Sequence, residues 1–255
     1  MLKQERQQRI LDIIERDGRI VAAQLPDVLD VSGYTVRRDL DELADAGRLQ
    51  RVHGGALARS TVPRTYRGRQ VEAVPGKIAT ARAAATLLES DQVAILDGGS
   101  TALHLVDAVP PDHTGTFITH SPPVANALAQ RDGLEVVLIG GSLDRRAMVT
   151  VGAQTIESFR RVTADICFLG IWSLHPEHGL SNGYYEEAEV RRVLLERADR
   201  IVGLTSREKL GTVAPFTIGP ATALTHIATE PDAPPDLLQP FSDLGIHLVK
   251  GDGGG

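Results

Sequence analysis

Two sets of residues in this 255-residue chain have the types and spacing to do chemistry. The first is Ser32, Tyr34, Thr35, Arg37 and Arg38, in the run VSGYTVRRDL. A serine hydroxyl can cap a helix by accepting a free backbone N–H. Val36, Leu40 and Leu43 then recur on one face of that helix. Arg37 and Arg38 come early, and Asp39, Asp41, Glu42 and Asp45 follow. That order opposes the helix dipole, which favours acids first and bases last by about 0.3–1 kcal/mol per charge. A helix that keeps its bases in front suits contact with an anion, and duplex DNA offers phosphates for positioning and guanine edges for bidentate arginine.

The second set is a series of loops rich in glycine and hydroxyls: Asp97-Gly98-Gly99-Ser100-Thr101, Thr119-His120-Ser121, Gly140-Gly141-Ser142 and Gly170. Glycine lets backbone approach a ligand closely, and a helix N-terminus offers free N–H groups to an anion. Lys209 adds a cation and Glu187 a carboxylate at the start of a helix. His120 suits either a phosphate donor or a plain loop residue. Together these loops predict a site for a phosphate-bearing polar ligand.

The elements that position the first set read as three helices, over residues 3–16, 22–29 and 33–46, the last closed by Gly47. Pro26 cannot sit inside a helix without loss of a hydrogen bond and a clash, so the second helix is expected to start late and be short. A strand over 48–53 and the turn at Gly54-Gly55 form a wing, whose Arg51 and His53 face the DNA backbone or minor groove. Residues 1–58 are thus predicted to be a winged helix-turn-helix domain that enters the major groove by the front of its third helix. Residues 59–76, with two prolines, two glycines and four arginines, read as a linker.

From residue 77 to 250 short apolar strands alternate with amphipathic helices. Helices are expected over 78–88, 102–108, 124–130, 153–160 and 187–198, and strands over 93–96, 117–119, 136–139, 166–169 and 201–204. A weaker pair follows at 225–228 and 247–249. This alternation predicts an α/β domain with a mainly parallel sheet covered on both faces. Ligands of such sheets bind beyond the carboxyl ends of the strands, where the second set of residues falls. Residues 251–255, GDGGG, are expected to be a disordered tail.

Residues 1–70 carry 13 basic against 10 acidic side chains and the remainder 14 against 23. A mildly basic head on an acidic body fits a DNA reader joined to a small-molecule domain, not a non-specific nucleic-acid coat. The lone Cys167 lies in the apolar run ICFLG and predicts a buried thiol in a reducing compartment, the cytoplasm. The polar N-terminus lacks the apolar stretch of a signal peptide, and no run approaches the roughly 20 apolar residues of a membrane span, so no membrane partner is expected. Two other chemistries are weighed. Asp97 and Glu187 could serve an isomerase-like enzyme carried on a DNA-binding head. His175-Pro176-Glu177-His178 could bind a metal, although its loop context makes a poor preformed site; neither a metal nor a cofactor is expected.

The head motifs RQQRIL and VSGYTVRRDLDELADAGRLQRVHGGA, with LysIleAla at 77–79, ILDGGST, THS, LIGG, ADICFLG, GLS and EEAEVRRVLLERADRIVGL in the body, resemble the DeoR family of bacterial transcription regulators. The resemblance implies a winged-helix domain and a sensor whose fold is shared with ribose-5-phosphate isomerases and CoA transferases. It implies a non-catalytic repressor of sugar-metabolism genes, modulated by a phosphorylated sugar and assembled as a homodimer or homotetramer. The chain departs from the family pattern at His120, where asparagine is usual, at Ser206, where aspartate is usual, and at Trp172. The usual lysine of the Glu-Ala helix falls at Arg191 or Arg192.

Overall fold

The computed structural model describes residues 1–60, 62–63 and 65–251, with backbone alone at 15–17. In the head, α1 (Lys3–Asp17) buries Ile10, Leu11 and Ile14 and ends on Gly18, whose left-handed backbone (φ 69°) returns its N–H to the Ile14 carbonyl. A strand, β1 (Arg19–Val21), precedes α2 (Leu25–Leu29). The expected helix over 22–29 is therefore shorter: Pro26 stands in its first turn, the one place where its missing N–H costs nothing. The third helix, α3 (Gly33–Asp45), is capped by Ser32 and buries Val36, Leu40 and Leu43. It closes as a Schellman turn, with Gly47 donating to the Ala44 carbonyl and Arg48 to that of Leu43.

The wing is a hairpin of β2 (Leu49–Val52) and β3 (Gly55–Ala58) turning at His53-Gly54, and β3 also pairs with β1, giving the order β1-β3-β2. Gly55 must be glycine, because a Cβ there would stand 1.9 Å from the Ile20 carbonyl oxygen. The chain then binds to the body at once. Arg59 bridges to Val213, Val213 donates to the Ala58 carbonyl (3.1 Å) and Ser60 to that of Val213 (3.3 Å).

The segment read as a linker is partly helical. It holds α4 (Tyr66–Val71), with Tyr66 buried, and α5 (Val74–Ala85) starts within it. There follow β4 (Gln92–Leu96), α6 (Ser100–Ala108), β5 (Gly115–Thr119), α7 (Pro122–Leu128) and β6 (Leu134–Leu138). A hairpin of β7 (Ser142–Asp144) and β8 (Val149–Val151) leads to α8 (Ala153–Arg160), β9 (Ala164–Gly170), β10 (Ser173–His175) and β11 (Gly179–Asn182). The chain ends with α9 (Tyr185–Leu194), β12 (Ala198–Leu204), β13 (Phe216–Gly219), β14 (His226–Thr229), α10 (Pro235–Asp243) and β15 (His247–Lys250). The expected helix over 187–198 stops at Leu194, because Ala198 is claimed by pairing with Ala164. Of the expected tail, Gly251 is buried and donates to Thr229, and 252–255 lie outside the described residues.

Seven strands form one parallel sheet in the order β15-β14-β12-β9-β4-β5-β6. Along β9, Ile166 and Phe168 face the core beneath α5, α6 and α7, whereas Cys167 and Leu169 face the core that holds Phe159, Leu194 and Phe241. This is the two-faced burial expected of a doubly wound sheet. From β4 the chain builds outward to β5 and β6, and from β9 outward the other way, so strand order reverses between β4 and β9. A crevice opens beyond the carboxyl ends of strands at such a switch point, and here those ends are Asp97-Gly98-Gly99 and Gly170.

In the head, one buried ion pair joins α1 to α3: Arg6 donates to both oxygens of Asp39, the Nη2–Oδ1 bond measuring 3.1 Å. Removing one partner of such a pair strands the other charge, at about 3–5 kcal/mol. Arg6→Met is therefore expected to lower unfolding free energy by about 3–5 kcal/mol in urea denaturation followed by circular dichroism, and Arg6→Met with Asp39→Leu to recover most of it. A single-variant loss below about 1 kcal/mol, the worth of an exposed pair, would contradict the buried geometry.

Candidate functional site

The front of α3 is presented as the sequence implies. The Ser32 hydroxyl accepts from the Thr35 N–H (3.2 Å) and pairs with the Thr35 hydroxyl (3.0 Å), so both residues shape the helix start. Tyr34 is 75% exposed, and Arg37 and Arg38 are exposed beside it. Three of the four acids behind them are taken up by bases from other elements. Asp39 belongs to Arg6, Asp41 to Arg51 (2.9 Å), and Glu42 to Lys3 (2.6 Å), with Arg38 at 3.5 Å. His53 is exposed at the wing tip. Arg51 departs from expectation: its guanidinium donates to Asp41 and to the Gly55 carbonyl (2.7 Å), so it braces the wing against α3 rather than reaching outward.

At the switch point lies a small cavity of about 40 Å³. Gly98, Gly99, Ser100 and Thr101 form its floor at the N-terminus of α6, and Gly170, Glu187 and Lys209 stand around it, as the sequence implies. Gly99 has φ +125°, a conformation open to glycine, and it turns the chain so that the first N–H groups of α6 point into the cavity. Six lining residues were not expected at the ligand: Arg69 and Arg191, which bring charge, and Val62, Ala102, Ile171 and Trp172. Glu187 Oε1 and Arg191 Nη1 are buried and make no hydrogen bond, so an acceptor and a donor await a partner there. They belong to one turn of α9, with Arg191 Nη1 3.4 Å from Glu187 Oε2.

The remaining loop residues expected at the ligand do not line this cavity. Asp97 lies beneath it, fully buried, with both oxygens used. Oδ1 accepts from Gly98 N–H (2.7 Å) and His120 Nε2 (2.8 Å), and Oδ2 from Gly170 N–H (3.0 Å) and Arg191 Nε (2.9 Å). Burial opposes its ionisation, but Arg191 and the His120 hydrogen bond outweigh that and hold its carboxyl well below the usual carboxylate range. His120 is held from both sides, since Nδ1 faces the Thr150 carbonyl (2.7 Å). Both ring nitrogens thus meet oxygens, which fixes the ring between β4 and the β7–β8 hairpin. Thr119 accepts from the Ser121 N–H, and the Ser121 hydroxyl donates to Met148. The Gly140 carbonyl accepts from Thr155, and a Cβ on Gly141 would stand 2.0 Å from the Thr155 hydroxyl. These residues pack the neighbouring β7–β8 hairpin instead. Ser206 donates to Glu208, which restores a carboxylate beside the position where the family places aspartate.

Lys209 sits in a 3-10 turn (Arg207–Lys209) after β12. Burial, reinforced by the like charges of Lys77, Arg69 and Arg191 against the opposing pull of Glu208, lowers its pKa to about 8. A larger cleft of about 730 Å³ lies elsewhere, between Gly18-Arg19 of the head and Glu177, Asp236 and Asp243 of the body. Its carboxylates would repel an anion, so the smaller cavity is the better ligand site. The His175–His178 loop also has another use: His175 Nδ1 accepts from the Glu177 and His178 N–H groups (3.1 and 3.2 Å), which spends the lone pair a metal would need.

Residues 6–62 match the DeoR-like helix-turn-helix domain and residues 72–231 the DeoR C terminal sensor domain. The chain is similar to the HTH-type transcriptional regulator GlpR of Haloferax volcanii, 35% identical over 98% of this chain and 99% of that protein. It is also similar to the HTH-type transcriptional regulator GolR of Listeria innocua, at 29% identity over 96% and 97%. The glycerol-3-phosphate regulon repressor of Escherichia coli is 25% identical over 97% and 99%. Among solved structures, ribose 5-phosphate isomerase A from Methanocaldococcus jannaschii is similar over 52% of each chain, at 18% identity and a TM-score of 0.39. The sorbitol operon regulator SorC from Klebsiella pneumoniae is similar over 87% and 94%, at 14% identity and a TM-score of 0.40.

Deprotonation of Lys209 near pH 8 removes one of the cavity's cations. An anion that binds the protonated form is then expected to lose up to about tenfold in affinity per pH unit above 8 and to be level from 7 to 8. Calorimetric titration of phosphorylated sugars at pH 7, 8 and 9 checks this, with the slope abolished in Lys209→Met. An equal slope in that variant would move the titration to another group.

Proposed function

The chain belongs to the DeoR family of transcriptional regulators, and on that premise we propose that it represses sugar-metabolism genes. Operator DNA would be held by the front of α3 and released when a phosphorylated sugar occupies the cavity above Asp97. The observation that carries the DNA half is the exposed arginine pair of α3, behind which Asp39, Asp41 and Glu42 are paired with Arg6, Arg51 and Lys3. Three acids of the helix are thereby matched by bases of other elements, which leaves the arginines to set the charge at its front. Arg37 and Arg38 reach base edges and phosphates, Tyr34 and Thr35 contact the backbone, and His53 follows the flank from the wing. Two copies would set two such helices into successive major grooves, about 34–36 Å apart. In this reading the protein works in the cytoplasm as a homodimer or homotetramer. Relatives support repression and a link to phosphorylated metabolites: one is the glycerol-3-phosphate regulon repressor, another the HTH-type transcriptional repressor GlcR of Bacillus subtilis.

The ligand half rests on the α6 N-terminus, Ser100, Thr101, Arg191 and Lys209 for the phosphate, and on Glu187 Oε1 as acceptor for a sugar hydroxyl. The isomerase alternative loses one of its two carboxylates, since Asp97 accepts four hydrogen bonds and has a strongly depressed pKa, so it has no basicity to offer a carbon acid. The similarity over nearly the whole chain is to transcriptional regulators.

Selection from a randomised duplex pool should enrich an inverted repeat that binds the intact protein. The affinity should fall with a log–log salt slope of about −0.9 per phosphate neutralised. Arg38→Ala should lose about 1–3 kcal/mol if its partner is a guanine edge, with the sensor's thermal transition intact. A pool that fails to enrich, or an Arg38→Ala affinity equal to wild type, would overturn the assignment of α3.

A further inference from the structure

Residues 63–71 lie between the two stretches that match the family domains, yet α4 within them supplies a wall of the cavity. Arg69 lines it, with its guanidinium carbon 5.4 Å from the centre of the Trp172 ring. Three cations, Arg69, Arg191 and Lys209, thus converge on one small space whose floor is already a helix N-terminus. The cavity opens to solvent and its volume of about 40 Å³ accepts a few waters. Burying a whole sugar phosphate requires several times that, so drawing one in from the mouth calls for a wall to move.

The walls differ in what holds them. The floor, Gly170 and Arg191 are bound together through the buried Asp97 carboxylate. Helix α4 is docked from outside, by the Lys77 ammonium on the Arg69 and Glu72 carbonyls, by Tyr66 N–H on the Arg146 carbonyl (2.6 Å) and by Arg69 on Trp172. Its docking is also imperfect, because the Tyr66 hydroxyl is buried with no hydrogen-bond partner, a cost relieved on exposure to water. Helix α4 is therefore the wall that yields. We propose that Arg69 binds the anionic group of the effector, together with Arg191 and Lys209, and that α4 swings off Trp172 to admit it. The proposal rests on the reading of the cavity as the effector site. Because α4 starts eight residues after the end of β3, the displacement is delivered to the DNA-binding head through the chain itself.

Trp172 is the single tryptophan of the chain, so all tryptophan emission comes from the residue against which Arg69 packs. The full chain is titrated with inorganic phosphate, glycerol 3-phosphate, glucose 6-phosphate and fructose 1-phosphate, read by thermal shift, calorimetry and tryptophan fluorescence. For the probe that binds, the expected result is a red shift of emission on saturation, a tenfold or greater loss of affinity in Arg69→Ala, and an intermediate loss in Arg69→Lys. Arg67→Ala, an exposed arginine of the same helix, serves as control and should bind as wild type. Affinity of Arg69→Ala within twofold of wild type overturns the proposal, as does emission unmoved at saturation. A wild-type chain that responds to none of the probes overturns the effector reading of the cavity instead.

Discussion

The sensor is organised around one buried carboxylate. Asp97 ends the strand at the switch point of the sheet, and its two oxygens collect donors from the next residue, from β9, from the end of β5 and from α9. Desolvating a lone carboxylate would cost several kcal/mol or more. The arrangement survives because Arg191 brings positive charge, and the His120 ring and two backbone N–H groups occupy the remaining lone pairs. The consequence is positional: the same bonds that neutralise Asp97 set the Gly98-Gly99 turn, space β4 from β9 and aim Arg191 Nη1 into the cavity. A ligand site that must be rigid on one side is built on the group least able to move.

The head solves an electrostatic problem in a related way. A helix with arginines in front and acids behind is disfavoured by its own dipole, and the cost is offset by bases on other elements. Arg6 from α1 reaches Asp39 in the interior, Arg51 from the wing reaches Asp41, and Lys3 reaches Glu42. The buried Arg6–Asp39 pair also joins α1 to α3, and Arg51 ties the wing to α3. Neutralising the rear of the helix and orienting the domain are one set of contacts, and the exposed pair that remains, Arg37 and Arg38, is left to face outward.

What could be read from the sequence follows the range of the interactions involved. The Ser32 cap, the Val36-Leu40-Leu43 stripe and the apolar strands are set within a few residues, and the structure has them where local periodicity places them. The late start of α2 followed from the stereochemistry of Pro26 alone. The glycine loops at 98–101 and 170 and the positions of Glu187 and Lys209 also reach the cavity, since strand ends of a parallel sheet meet on one edge. The misses are long-range. His120 and Thr119 resemble their neighbours in the chain, but a carboxylate 23 residues away turns the His120 ring inward. Arg191, on an amphipathic helix, reads as a solvated base until Asp97 is placed beside it, although its i+4 spacing from Glu187 marked both for one face. The β7–β8 and β10–β11 hairpins are three or four residues per strand, too short for a period to show. Helix α10 begins at a proline and continues through Pro240, a residue that disfavours a helix interior.

The contacts between the two domains explain why a small cavity can matter to a distant helix. The end of β3 pairs with Val213, four residues beyond Lys209, and the Ser60 hydroxyl donates to the Trp172 carbonyl (3.2 Å). Two sides of the cavity, the Lys209 turn and the Trp172 loop, are therefore hydrogen-bonded to the segment that leaves the DNA-binding head. The exposed Arg19–Glu177 pair at 3.4 Å adds little to this union, as solvent-screened pairs do. A ligand shifts such an arrangement only by binding one disposition of the domains better than another. In the proposed effector site that difference would have a physical source: the cavity is small, whereas its converging cations and the buried Glu187 Oε1 and Arg191 Nη1 favour an anionic, hydroxylated ligand. Space and charge would then pull in opposite directions, and the segment that carries the head is placed to relieve the conflict.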